Sequence, residues 1–114
     1  MAITGTHALL YTPEPEALRA CLRDVFGWNH VDAHDGWLIF ALPPAELGVH
    51  PSDKPAHELS FMCDDIEATM AELQDKGIRF KGEPESQGFG IVATMVLPGD
   101  VDVLLYQPRH PTAI

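Results

Sequence analysis

The chain has 114 residues, 46% of them apolar and 21% charged, with a formal charge of −10. That is enough apolar material for one compact domain over residues 1–114 and too little length for two unrelated ones. The acidic balance argues against nucleic acid, whose binding rests on neutralising phosphates with Lys and Arg, and against anionic membranes, while a neutral or cationic organic ligand meets no such barrier.

The N-terminal "MAITGTHALLY" lacks the basic flank and long apolar core of a signal peptide, and no run approaches a membrane span, so a cytoplasmic protein is expected. Cys21 and Cys63 stand alone without a CxxC spacing and read as small core residues.

The first element is a short alternating stretch, "HALLY", followed by helix-start chemistry at Thr12-Pro13. Leu18, Cys21, Leu22, Val25 and Phe26 then recur at helical spacing, and Gly27 supplies the left-handed residue that ends a helix. Three strand-like runs follow, "WNHVDA", "GWLIFAL" and "AELGVH", with Asp35-Gly36 as the hairpin signal between the first two. The order then repeats. "ELSFMC" alternates, Asp64 with Glu67 three residues on marks a helix start, Ile66, Met70 and Leu73 form the apolar stripe, and Gly77 ends it. "IRFKG", "GIVATMVL" and "DVDVLLY" complete the second series of strands.

Laid over itself at an offset of 51 residues, the chain matches His7 with Glu58, Leu10 with Phe61, Glu16 with Glu67, Ala17 with Ala68, Ala20 with Ala71 and Leu22 with Leu73. It reads as a duplication of a strand–helix–strand–strand–strand unit, with module one over about residues 4–52 and module two over about 55–108.

Two such βαβββ modules, with "HALLY" opening the first, "FGW" closing its helix, and "DDIEATMAELQDKGIRF" and "LPGDVDVLLYQP" in the second, resemble the vicinal oxygen chelate superfamily of glyoxalase I, extradiol dioxygenases and fosfomycin- and bleomycin-resistance proteins. The resemblance spans about Thr6 to Pro108. It implies an α+β fold in which mixed sheets form a cup with the helices packed outside, and it says little about the reaction, because such folds host many chemistries.

Strand alternation assigns faces independently. Ala8, Leu10, Leu59 and Phe61 should face the helices, leaving His7, Leu9, Tyr11, Glu58, Ser60 and Met62 on the cup side. In the fourth strand Leu47 and Val49 should pack inward, with Glu46, Gly48 and His50 toward the cup. In the eighth, Val101, Val103 and Leu105 pack inward and Asp102, Leu104 and Tyr106 face the cup.

The resemblance implies that metal-using members draw ligands from the opening and last strands of each module, here His7, the fourth strand, Glu58 and Leu104. Leucine at 104 replaces the glutamate of the pattern "ELYEP" and has no donor atom. Glu46 and His50 lie about 13 Å apart along a strand, so at most one of them could share an ion with the others. His7, His50 and Glu58 would form a two-histidine, one-carboxylate set for one divalent ion such as Fe, Mn, Ni or Zn; His7, Glu46 and Glu58 would form a harder, oxygen-rich set. Against both stands a wet polar cup that holds an organic molecule without metal.

"NHVDAHDGW" is rich in ligating types, but Asp35-Gly36 demands a turn there, and His57 has the wrong parity for the cup. "PESQGFG" lacks the Walker spacing and lysine and reads as a lip or hairpin loop.

Three functions are compatible with these residues. A glyoxalase-type lyase or isomerase would move a proton with Glu58 or Glu46. An extradiol-type dioxygenase would hold catecholate and O₂ on Fe(II). A binding protein would enclose an aromatic or cationic compound among Tyr11, Trp37, Ser60, Met62, Phe89, Asp102, Leu104 and Tyr106. The loss of the eighth-strand carboxylate favours the binding protein. Exposed sheet edges favour a homodimer.

Overall fold

The computed structural model describes residues 7–114; the first residues assigned to module one, 4–6, lie outside that range. The order of elements is α1 (Pro15–Asp24), β1 (His30–Asp32), β2 (Leu38–Phe40), β3 (Ser60–Met62), α2 (Ile66–Asp75), β4 (Arg79–Gln87), β5 (Gly90–Leu97) and β6 (Val101–Pro108). The chain is α+β, with two helices and mixed sheets.

Module two forms one four-stranded sheet in the order β3-β6-β5-β4, with β3 parallel to β6 and the other pairs antiparallel. The chain leaves β3 through α2, re-enters the sheet at β4 on the opposite edge, and returns through β5 to β6, which therefore lies parallel to β3. Ten-residue α2 begins where the Asp65 carboxylate accepts from the Ala68 N–H at 3.1 Å, one residue later than the Asp64 start expected from the sequence. A second donor of the first turn, the Ile66 N–H, is taken by the Gln107 side chain of β6 at 2.8 Å, which ties the helix end to the sheet. Gly77, at φ +93°, closes the helix while the Ile78 N–H returns to the Leu73 carbonyl.

Module one is shorter in strand. Only β1 and β2 pair, through a turn in which Asp35 and Gly36 both have positive φ (44° and 88°), as the mirror-image hairpin turn requires, and the Asp32 carboxylate accepts from the Gly36 N–H. The expected opening strand at His7–Tyr11 and fourth strand at Glu46–His50 carry no ladder within the chain, so six strands form among the described residues. Leu47 and Val49, expected to pack inward, are 92% and 94% exposed, because the strand that should carry them has no neighbour in the same chain.

Both helices lie on one face of the four-stranded sheet. Leu18 and Cys21 of α1 and Ile66, Met70 and Leu73 of α2 pack with Ala93, Met95, Leu97, Val103 and Leu105, the alternate residues of β5 and β6. Phe26, Trp28 and Phe61 extend this core in an aromatic cluster, with Trp28 edge-on to Phe61 at 5.1 Å, so the "FGW" turn after α1 seats the first module on β3 of the second. A further tie is Thr12, whose hydroxyl donates to the Pro98 carbonyl at 3.2 Å and accepts from the Glu14 N–H. It lies directly against Gly99, where any Cβ would overlap the Thr12 side chain. Glycine at the β5–β6 turn therefore serves both its φ of +84° and the docking of the first module.

Candidate functional site

With the helices on one side, the opposite face of the four-stranded sheet is left to the alternate residues. The register sets them in rows. Arg79, Val96 and Asp102 form one row; Lys81, Thr94, Leu104 and Ser60 the next; Glu85, Val92, Tyr106 and Met62 the third. The cup-side parity read from the sequence for Ser60, Met62, Asp102, Leu104 and Tyr106 thus holds in the sheet.

The two ends of this face differ in chemistry. At one end, exposed ion pairs join Arg79 to Asp100 at 3.2 Å and Lys81 to Asp102 at 2.5 Å, around an open depression of about 620 Å³ lined also by Phe80 and Val96. Asp102 is therefore engaged by a lysine of the same face. The other end is aromatic. The Tyr106 ring lies 5.9 Å from that of Phe89 and 5.8 Å from that of His110, and its hydroxyl donates to the Phe89 carbonyl at 3.0 Å.

Gly90 makes room for this ring: a Cβ there would come within 2.5 Å of both Tyr106 Cε1 and the Gln107 carbonyl. "PESQGFG" is not a separate lip. Its residues extend β4 to Gln87, and β5 resumes at Gly90, so Phe89 stands at the tip of a continuous hairpin. The Arg109 side chain closes that tip by donating to the Ser86 hydroxyl at 2.7 Å and the Gln87 carbonyl at 3.0 Å.

Glu46 belongs to this end as well. Its carboxylate accepts from the Ala113 N–H at 2.8 Å and lies 3.8 Å from His110 Nε2. Loss of solvent, and then the Glu46 charge, push the Tyr106 hydroxyl above the usual tyrosine range and keep it a neutral donor. Both thiols are also raised, Cys21 by burial and then by Asp24, and Cys63 by burial and then, against a hydrogen bond from Thr69, by Asp64 and Asp65; neither thiol has the environment of a nucleophile.

The remaining candidates stand apart. Tyr11 is 84% exposed in the segment before α1, and Trp37 lies beside the first-module hairpin with the Arg19 guanidinium over its ring at 4.9 Å. His7, His50 and Glu58 are each exposed and outside any strand, and His50 Nδ1 faces the Pro51 carbonyl at 2.7 Å. Among the described residues no three His, Cys, Asp or Glu side chains converge where they could hold an ion.

Val92, Thr94 and Lys81 share the face without having been read from the sequence. The alternation of "GIVATMVL" carries the signal for the first two, since the same parity rule that places Leu104 also places Thr94. His110 has no such signal, because its place beside Tyr106 depends on how the C-terminal tail turns.

The family model described as Glyoxalase/Bleomycin resistance protein/Dioxygenase superfamily matches residues 6–103. The chain belongs to that superfamily. Solved structures agree on the fold. TnmS3, an antibiotic binding protein from Streptomyces sp. CB03234, is 24% identical with a TM-score of 0.63, covering 95% of this chain and 98% of that one. A lactoylglutathione lyase from Agrobacterium tumefaciens is 17% identical with a TM-score of 0.61, over 86% and 88% of the two chains. An integron cassette protein from the mobile metagenome of V. cholerae is 13% identical with a TM-score of 0.52, over 94% and 98%. No curated protein matches the chain at a significant level. At these identities the likeness to solved structures establishes the fold alone. Among the described residues no helix is long and apolar enough to cross a membrane.

Proposed function

We propose that this superfamily member is a small-molecule-binding protein that holds an aromatic, neutral or cationic compound on the helix-free face of its four-stranded sheet. The observation that carries this reading is the end of the face where Tyr106, Phe89 and Met62 gather beside the Glu46 carboxylate. Ring faces and a nearby carboxylate attract a positive aromatic, and the acidic chain as a whole does the same. The antibiotic-binding description of TnmS3 is in keeping with such a role. Metal-dependent lyase, isomerase or dioxygenase chemistry is the less supported reading, because His7, His50 and Glu58 do not fit a common ion within the chain as folded and Leu104 offers no donor. The same reading takes the chain, with its two modules in a single domain, to be a homodimer.

The test is titration with thioflavin T and ethidium, two aromatic cations, followed by quenching of tryptophan fluorescence. Saturable binding weakened about tenfold by Tyr106→Ala, equivalent to about 1.4 kcal/mol, and left unchanged by Tyr11→Ala is expected. Absence of saturable binding by either cation, or binding indifferent to Tyr106→Ala, would refute a ligand at the aromatic end.

A further inference from the structure

Residues 109–114 follow β6 as a tail without regular structure, yet the tail is fastened at two points beside the aromatic end of the face. At its start the Arg109 N–H donates to the Phe89 carbonyl at 2.9 Å, and the Arg109 guanidinium donates to Ser86 and Gln87, so the tail departs from the hairpin tip. Near its end the Ala113 N–H donates to the Glu46 carboxylate at 2.8 Å. Between these ties Pro111 confines the backbone of His110 to extended conformations.

His110 is thereby set between the two groups that make this end attractive to a positive aromatic. Its ring lies 5.8 Å from that of Tyr106 at an interplanar angle of 31°, and its Nε2 faces the Glu46 carboxylate at 3.8 Å. A carbonyl can only accept, so Nδ1 is the donor in the 2.8 Å bond to the Pro111 carbonyl, and both ring nitrogens point at oxygen acceptors. With the tail in place the Glu46 side chain is 18% exposed, whereas the carboxylate partner of every other ion pair among the described residues is at least 44% exposed. A flat nitrogen-bearing ring on Tyr106 and an N–H on Glu46 are thus already supplied from within the chain.

We propose that the tail is a built-in competitor of the ligand: the His110 ring holds the place of a flat, nitrogen-bearing aromatic between Tyr106 and Glu46, and such a compound binds by displacing the tail from His110 onward. The ligand class narrows accordingly. A nitrogen-bearing aromatic replaces both contacts that the tail gives up, a ring for Tyr106 and an N–H or positive charge for Glu46, whereas a hydrocarbon ring would leave the carboxylate without a partner. The apparent affinity is the intrinsic affinity multiplied by the fraction of chains whose tail is lifted, so loosening the tail tightens binding. This rests on the ligand reading of the aromatic end and specifies what holds that end when the ligand is absent.

The full chain is titrated with thioflavin T as the parent, as His110→Ala, and as Ala113→Pro, which removes the tail's N–H on Glu46; circular dichroism checks folding. Each tail variant should bind about two- to fivefold more tightly, the loss of one exposed ring–cation or ion contact, while His34→Ala, in the exposed β1–β2 turn, should bind as the parent does. In nuclear magnetic resonance of the parent, the His110 ring signal, identified by its absence from His110→Ala, should shift as the dye saturates the protein. Naphthalene, a flat ring without nitrogen, should leave that signal in place. Unchanged or weaker binding by a folded tail variant overturns the competitor, as does a His110 signal that saturating dye fails to move or that naphthalene moves equally. Absence of saturable binding by the parent and by both tail variants overturns the ligand reading of the aromatic end itself, and the competitor with it.

Discussion

In the second half of the chain, strands of three, nine, eight and eight residues share one sheet, while among the described residues of the first half two three-residue strands pair. Both modules carry a ten-residue helix with an apolar stripe, so the difference does not arise in the helices. It arises in what the strands can bury. Of the buried apolar residues among those described, Leu18 and Cys21 come from the first half and the rest lie between Ile66 and Leu105. A sheet gains its stability from one covered face and from neighbours on both sides, and among the described residues β1 and β2 have only each other as neighbours and no fully buried side chain. The comparison teaches that similar sequence patterns need not give similar stability: the residues from Ile66 to Leu105 supply most of the core, and the earlier part of the chain leans on it through α1 and the Phe26–Trp28–Phe61 cluster.

The sharpest way to break this comparison is to truncate the matched helix positions Leu22 and Leu73. Leu73 is buried, so Leu73→Ala removes a side chain from the shared core and should cost about 2–5 kcal/mol of unfolding free energy. Leu22 is only half-buried at the edge of the same cluster and should cost clearly less. Urea unfolding of the two variants measures both. Equal losses would mean that the modules share the load evenly and that the core assignment is wrong.

The helices, the glycine stops, the Asp35-Gly36 turn and the cup-side parity of Ser60, Met62, Leu104 and Tyr106 were all legible in the sequence, because each follows from local periodicity or from a residue with a special φ. The fate of the fourth strand was not. "AELGVH" has the composition and alternation of a strand, and alternation fixes which side chains share a face without saying which strand lies alongside. The connection before it, "ALPPA", carries none of the positive-φ residues that turn the chain at Gly99-Asp100 between β5 and β6. The site was half legible for the same reason. Parity placed the sheet residues, whereas the meeting of Glu46 and His110 beside Tyr106 depends on a tail and a loop with no period to read.

A second, smaller contrast lies at the helix starts. Asp65 caps α2 with its carboxylate, whereas Glu14 at the start of α1 makes no side-chain cap bond, and Pro15 reduces the need for one by removing a backbone donor. Asp65→Ala should cost about 1 kcal/mol, and Glu14→Ala should leave the denaturation midpoint within experimental scatter. A comparable loss for Glu14→Ala would show that the two helix starts are held alike and remove this part of the difference between modules.

The smallest effect tests whether the two modules meet at Tyr106, where a first-module carboxylate acts on a second-module hydroxyl. Tyr106 is raised above the ordinary tyrosine value by lost solvation and, after that, by Glu46. A raised acid favours its protonated form in the folded state, so this contribution to stability is fully present below the unfolded tyrosine pKa and is lost as pH rises through the folded one. In a Tyr11→Phe background, where Tyr106 is the remaining tyrosine, the ultraviolet absorbance of tyrosinate should develop above the usual range. Adding Glu46→Gln should move that midpoint down only part of the way, because desolvation is the larger cause and stays in place. A full return to the ordinary value would make the Glu46 charge the dominant influence. No movement at all would separate Glu46 from Tyr106, and with it the carboxylate from the aromatic end of the face.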